Sequence, residues 1–342
     1  MNFNITILLQ GNIKDRRLSN IMTDLVEIDM KTKINAIAQK HGRLALKWIH
    51  ENLEHFNPWQ DNELSMEGVQ SLAELAIVFT RISKNNFLWK ALYPESDIKK
   101  EWFQYLKQQL TLPAVAELPR KRPILAFPYL LPYLTLRSIG WKDSFYEKTL
   151  DVLSKWGFPN AQEVVPFREL DVAFFFNSSN YGKKKNLSPF FKRTFLSKMK
   201  NILFIDNDSA YSITHTIFYL SNFGTEKPIL LGPQLPFAKN AIESLIIHYW
   251  RLGHWDLLGE LLLSSVIIGL SEKTITPSAI EEFYSYHQLN GSIIGRKDLA
   301  EQLIEANSQN DSKKVFSLSY HTTIVSLLLS IQLLTKSHEE YY

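Results

Sequence analysis

The stretch from Ile205 to Gly224 reads IDNDSAYSITHTIFYLSNFG and sets ionisable and aromatic groups into a run that is otherwise apolar. Wound as a helix, it places Asp208, Tyr211, His215, Tyr219 and Asn222 on one stripe at spacings of three and four. Each unpaired polar group buried there costs roughly 2–7 kcal/mol unless a hydrogen bond, a metal or a substrate satisfies it. Asp208 and His215, two turns apart on that stripe, can reach one metal ion or one substrate together. Asp208 also reads as a helix N-cap with Asp206 just outside it, both complementing the positive end of the helix dipole. His215 has polar company in Tyr211, Thr214 and Tyr219, more than a lone core histidine needs.

A second constellation, Tyr320-His321-Thr322-Thr323, opens the most apolar segment of the chain. Near a helix N-terminus the dipole lowers an imidazole pKa, and a neutral imidazole can ligate metal or act as a base. The alternative is a histidine packed under a loop, with Thr322 or Thr323 capping. If the 208–222 helix and this last helix face one cavity, His215, His321 and Asp208 become a candidate set for a divalent metal ion or for acid–base work. Tyr211 joins them as a catalytic residue, and Tyr219, Asn222, Tyr320 and Thr322 as substrate-binding residues.

Two further groups read as structural. In HYWRLGHWDLLGE, Gly253 separates His248 from His254, Asp256 takes a cap position and Glu260 is solvated or paired with Arg251. In PFRELD, Arg168 and Asp171 are one turn apart and can pair with each other. No H-E-x-x-H, no G-x-S-x-G and no phosphate-binding loop is present.

These groups need a scaffold, and composition bounds it. The 342 residues are 45% hydrophobic, 13% aromatic and 21% charged, as in a folded globular chain. A net charge of +3 is too small to call for a nucleic-acid partner. The absence of cysteine removes disulfides, thiolate nucleophiles and Cys-ligated zinc, and fits a reducing, cytoplasmic setting. No run approaches the roughly 18–20 apolar residues of a membrane span. The nearest, Ile124 to Leu136, is interrupted by Pro128 and Pro132, and no membrane partner is expected. The first residues make a poor signal peptide, and Met22 or Met30 reads equally well as a start.

Helical periodicity dominates from Ile34 to Phe56 and recurs in segments of similar length, broken by Gly, Pro, Asn or Asp. The spacing predicts helices near 67–82, 84–94, 97–111, 125–138, 143–156, 165–176, 188–200, 208–222, 236–251, 254–269, 277–288, 296–306 and 317–336. Almost nothing alternates with period two, so the expected fold is all-α. Gly140-Trp-Lys-Asp143 and Gly253-His-Trp-Asp256 resemble each other, each with a Gly ending one helix and an Asp placed to cap the next. Many helices joined by short turns point to hairpins closed into an α/α toroid, or alternatively to an open α-solenoid. The expected layout is an extension over 1–30, partly disordered, and one domain over 31–342.

Between Val172 and Ile205 there is no acid, while Lys183, Lys184, Lys185, Lys192, Arg193, Lys198 and Lys200 are basic. With phenylalanines interleaved, this can be a solvated loop, a lid over 178–204, or a contact for phosphate, a nucleic acid or an acidic peptide.

The segment AYSITHTIFYLSNFG, with the distal YHTT, resembles a family of uncharacterised helical bacterial proteins carrying a domain of unknown function and found beside natural-product genes. The resemblance points to Tyr211, Thr214, His215, Phe218, Tyr219, Phe223, Gly224, Tyr320, His321 and Thr322 as a shared site. Asp commonly stands where this chain has Asn222, which departs from that pattern. The expectation is an enzyme of specialised metabolism acting on a small molecule or peptide in a helical cavity, with a divalent metal ion as its candidate cofactor. The alternative is a non-catalytic scaffold that binds a peptide or carrier protein through the basic segment.

Overall fold

The computed structural model describes residues 30–60, 63–93, 97–270 and 275–341. The extension expected over 1–30, with its partial disorder, lies outside the described residues except for Met30. The fold is all-α. Among the described residues the sole extended pairing is a two-residue antiparallel bridge, β1 (Trp59–Gln60) with β2 (Glu63–Leu64).

Helix α1 covers 30–51 and leads to α2 (Met66–Ser83), α3 (Asn86–Leu92) and α4 (Ile98–Thr111). Pro113, Pro119 and Pro123 then cut the chain into single turns, because proline starts a helical turn readily but cannot continue one. These turns are α5 (Pro113–Ala116), α6 (Leu118–Lys121) and a 3-10 turn, Pro123–Leu125. Next come α7 (Ala126–Arg137), α8 (Ser144–Lys155) and α9 (Pro166–Ser178).

The expected helix over 188–200 is two turns, α10 (Ser188–Phe191) and α11 (Phe195–Lys198). Thr194 divides them, since its hydroxyl accepts the Ser197 N–H and so starts a new helix. Buried Phe191, Leu196 and Met199 anchor the segment, with α10 packed on α9 and α11 on α12 (Asn207–Leu220). The remaining elements are α13 (Leu235–Leu252), α14 (Trp255–Ile267), α15 (Thr276–Ser285), α16 (Ala300–Ser308) and α17 (Ser312–Tyr341).

Six of these helices contact one another in cyclic order: α2 on α7, α7 on α9, α9 on α12, α12 on α14, α14 on α17, and α17 back on α2. The others sit against them: α4 on α2, α13 and α15 on α14, α16 on α17. The closest approach involves Gly259 on α14, where a Cβ would stand 2.8 Å from Phe283 Cζ and 2.9 Å from Val325 Cγ1. That glycine lets α14 nest between α15 and α17.

By length and composition Ser312–His338 could cross a membrane, but 78% of its apolar window is buried inside the fold. It is a core helix, and it exceeds Ile124 to Leu136 as the longest apolar stretch because Ser326, Ser330 and Gln332 interrupt the run without ending the helix. Its early start corrects one expectation. His321 is a full two turns inside α17 rather than at its N-terminus, so the helix dipole does not act on it.

Candidate functional site

Four of the six cyclically packed helices, α2, α12, α14 and α17, send polar side chains to one place. At its centre is His321 on α17. Its Nδ1 lies 2.7 Å from Glu74 Oε2 on α2, and its Nε2 lies 3.1 Å from Asp256 Oδ1 and 3.3 Å from Glu260 Oε1, both on α14. Glu74 is itself fixed, since Gln70 Nε2 donates to its other oxygen at 2.8 Å. Asp256 and Glu260 are one turn apart on α14, so their carboxylates share a face.

Helix α12 supplies the other wall. Tyr211 donates its hydroxyl to Asp256 Oδ2, Thr214 donates to Glu260 Oε2, and His215 Nε2 lies 3.4 Å from Glu260 Oε1. Glu260 is 1% exposed and is thus shared by both histidines and one threonine inside the fold. Two polar atoms remain without an aligned hydrogen bond, His215 Nδ1 and Asp256 Oδ1. The latter is close to His321 Nε2 but off the hydrogen-bonding direction, an ion-pair contact only.

Electrostatics follow from this packing. Burial opposes a charged His321, but Asp256 and Glu74, with hydrogen bonds to Glu260 and Glu74, outweigh it and raise its pKa well above the ordinary imidazole value. Burial likewise opposes ionised Glu260, yet His215 and His321 hold it below the usual carboxylate range. Asp256 goes the other way: burial raises it, eased by His321 and reinforced by Glu260. Burial and Asp256 raise the Tyr211 phenol, which therefore stays protonated and keeps donating. The cluster sets three carboxylates, Glu74, Asp256 and Glu260, against two imidazoles, His215 and His321.

A second polar group adjoins it on α9. Arg168 Nη1 bonds Asp171 Oδ2 at 2.9 Å, the ion pair expected from their spacing. Burial raises the Asp171 pKa against the pull of Arg168, and burial and Asp171 push the Tyr219 phenol well above its ordinary range. Tyr219 stacks on Phe174 and, with Phe223, forms an aromatic wall whose ring edge faces His215 at 5.9 Å. Phe167 closes another side of His215 at 6.1 Å.

The structure thus brings His215, His321 and Tyr211 together and places Tyr219 beside them. It does not bring Asp208 to them. Asp208 is exposed in the first turn of α12, and Asp206 rather than Asp208 is the N-cap, accepting the Ser209 N–H at 2.9 Å. Asn222 is remote from the cluster: it bonds Glu226 and lines a small cavity with Thr80, Arg81 and Phe223. Tyr320 stacks on Phe316 in the core, and Thr322 is buried beside Gly295. Thr322, one position after His321, is turned about 100° from it around the helix, whereas Tyr320 meets His321 edge to face at 6.3 Å, and burial, then Glu74, Glu67 and Asp256, raise its phenol pKa.

Three acids were missed. Asp256 is not a cap: His254 caps α14, its Nδ1 accepting the Leu257 N–H at 3.4 Å, which leaves Asp256 inside the helix. Glu260 is neither solvated nor paired with Arg251. Glu74 lies in the apolar run VQSLAELAIVF. The signal was available, for Glu260 in DLLGELLLSS is as isolated among apolar residues as His215 is.

The sequence profile of a domain of unknown function, DUF6895, matches residues 42–331, and the chain belongs to that family. Neither a curated protein nor a solved structure matches the chain.

Proposed function

We propose that this member of the family is an enzyme acting on a small molecule or peptide at the carboxylate–histidine cluster, with one divalent cation held by Asp256, Glu260 and His321. The observation that carries the reading is the double engagement of His321: Nδ1 is committed to Glu74 at 2.7 Å while Nε2 meets two carboxylates at 3.1 and 3.3 Å. A carboxylate on the far ring nitrogen is the usual partner of a metal-ligating histidine, because it fixes the tautomer and strengthens the ligand.

The ligand atoms of the three residues lie within 4.8 Å of one another. Ligands about 2.0–2.2 Å from one ion are themselves at most about 4.4 Å apart, so little closing is needed. Two carboxylates and one imidazole suit a borderline or hard ion such as zinc, manganese or ferrous iron. The poorly aligned Asp256 Oδ1 is the atom a cation would satisfy.

When bound, such an ion polarises a substrate oxygen or acidifies a bound water. The chain's own residues do the rest. Glu74 orients His321, Thr214 and Tyr211 hold the two α14 carboxylates in place, and His215 on Glu260 is positioned to exchange a proton with substrate. The aromatic wall of Phe174, Tyr219 and Phe223 excludes water from one side.

The return contact of α17 on α2 supports the toroid over the open solenoid, with the cluster built on the inner helices. A role in bacterial specialised metabolism belongs to the same proposal and is supported by the family resemblance alone. The test is comparative metabolite profiling: extract incubated with the metal-loaded protein loses a compound that survives with His321→Ala or His215→Ala. Equal profiles for all three proteins contradict an enzymatic role.

A further inference from the structure

The cluster is reached by solvent, since the side chains of His321, His215 and Asp256 are 29%, 22% and 16% exposed. Phe167 links it to the polar group on α9: its ring lies 6.1 Å from the His215 ring, and the Arg168 guanidinium stands 4.9 Å over it. One ring thus touches both a fixed positive charge and the imidazole placed to exchange a proton. Arg168 is anchored to present that charge. Its Nη1 donates to Asp171 Oδ2 at 2.9 Å, and Asp171 is 1% exposed, while the arginine side chain itself is 48% exposed. A guanidinium carries five N–H donors, and among the described residues no second carboxylate pairs with this one. Glu169, its neighbour in sequence, pairs with Arg193 instead, and Glu74, Asp256 and Glu260 are committed to His321, Tyr211, Thr214 and His215.

We infer that Arg168 anchors the substrate through a carboxylate or phosphate group, received on the open edge of the guanidinium while the reacting group of the same molecule lies at His215 and the α14 carboxylates. The planar fork of a guanidinium matches two oxygens of either group at once, which a lysine in its place does not. Asp171 is then a positioning residue: it fixes one corner of the fork from inside the fold and leaves the outward donors to the ligand. The part played in turnover rests on the enzymatic reading above, whereas oxyanion binding at Arg168 is measurable without it.

The test has two arms, both on the full chain after reloading with zinc. In the first, inorganic phosphate is titrated into the protein by calorimetry. Arg168→Gln, which keeps a donor for Asp171 but no charge, should weaken binding at least about tenfold, the loss of one charged hydrogen bond or more. Arg168→Lys, which keeps the charge and loses the fork, should fall between Arg168→Gln and the wild type, and Arg193→Gln in the basic segment should bind as the wild type does. In the second, the compound consumed in extract should be retained on an anion exchanger at neutral pH, and Arg168→Gln should raise its KM at least about tenfold while lowering kcat far less. Absence of phosphate binding, or equal binding by wild type and Arg168→Gln, overturns the inference, as does a consumed compound that is neutral or cationic. Phosphate binding that is lost in Arg168→Gln, with no compound consumed, upholds the oxyanion site and contradicts the enzymatic reading instead.

Discussion

The pattern G-x-x-D-x-x-x-E occurs at Gly140, Asp143 and Glu147 and again at Gly253, Asp256 and Glu260, yet the two copies are used differently. In the first, Asp143 caps α8, accepting the N–H groups of Phe145 and Tyr146 at 2.9 and 3.2 Å. Glu147 pairs with Arg137 at 2.7 and 3.0 Å, and its carboxyl is held low first by that hydrogen bond. In the second, Gly253 takes a left-handed φ of 66° and His254 caps two residues earlier in the pattern. Asp256 is thereby released into the first turn of α14, and Glu260 faces imidazoles instead of a guanidinium. A guanidinium stays protonated and closes its site permanently, whereas an imidazole can give up its proton to a metal or a substrate. Moving the cap by two residues thus replaces a helix cap and a carboxylate–guanidinium pair with two acids that face imidazoles.

The sharpest way to break this comparison is at the two glutamates. Glu260→Gln should cost about 3–5 kcal/mol in denaturant unfolding, since it leaves buried partners uncompensated. Glu147→Gln should cost less, about 1.5–3 kcal/mol, as a hydrogen-bonded charge is lost from a site where Glu147 is still 29% exposed. Equal costs would show that the two acids do the same work.

Histidines without carboxylates supply the next contrast. His41 and His287 meet edge to face at 4.7 Å, and Nδ1 of each is buried without a hydrogen bond. Burial and then Lys40 lower His41 to about 4, and burial, His41 and Lys40 lower His287 to about 3. Between these values and the unfolded value near 6.5 the unfolded chain binds more protons, so stability falls as pH falls from about 6.5 toward about 4. The melting temperature should decline over that range in the wild type and decline less in His41→Phe; parallel curves would contradict it.

The capping residues define the small end of the scale. Asp143→Ala should cost about 1 kcal/mol, and Asp208→Ala no more than about 0.5 kcal/mol, as expected of an exposed side chain with no capping role. A larger loss at Asp208 would restore it to the site.

Sequence patterns made the scaffold legible because nearly every helix is amphipathic or apolar and is punctuated by Pro, Gly or a cap. The conjunction of His215 with His321 was legible for the same reason, a polar group stranded in an apolar run. Asp256 was not legible, because Gly followed by a nearby Asp reads as a cap, and only the geometry of His254 shows that the cap is already taken. His321 was assigned the opposite electrostatics because α17 begins at Ser312, and no residue near Tyr320 marks the continuation. Glu74 and Glu260 required knowledge of which helices meet, which periodicity does not carry.

The most direct measurement is metal content and cation titration of the purified protein beside Asp256→Asn, His321→Ala and Asp143→Asn. The account predicts one tightly bound divalent ion per chain, lost in Asp256→Asn and His321→Ala and retained in Asp143→Asn. A chain that takes up no ion after reloading, or keeps one in all three variants, contradicts it and leaves His321 as an imidazolium paired with three carboxylates.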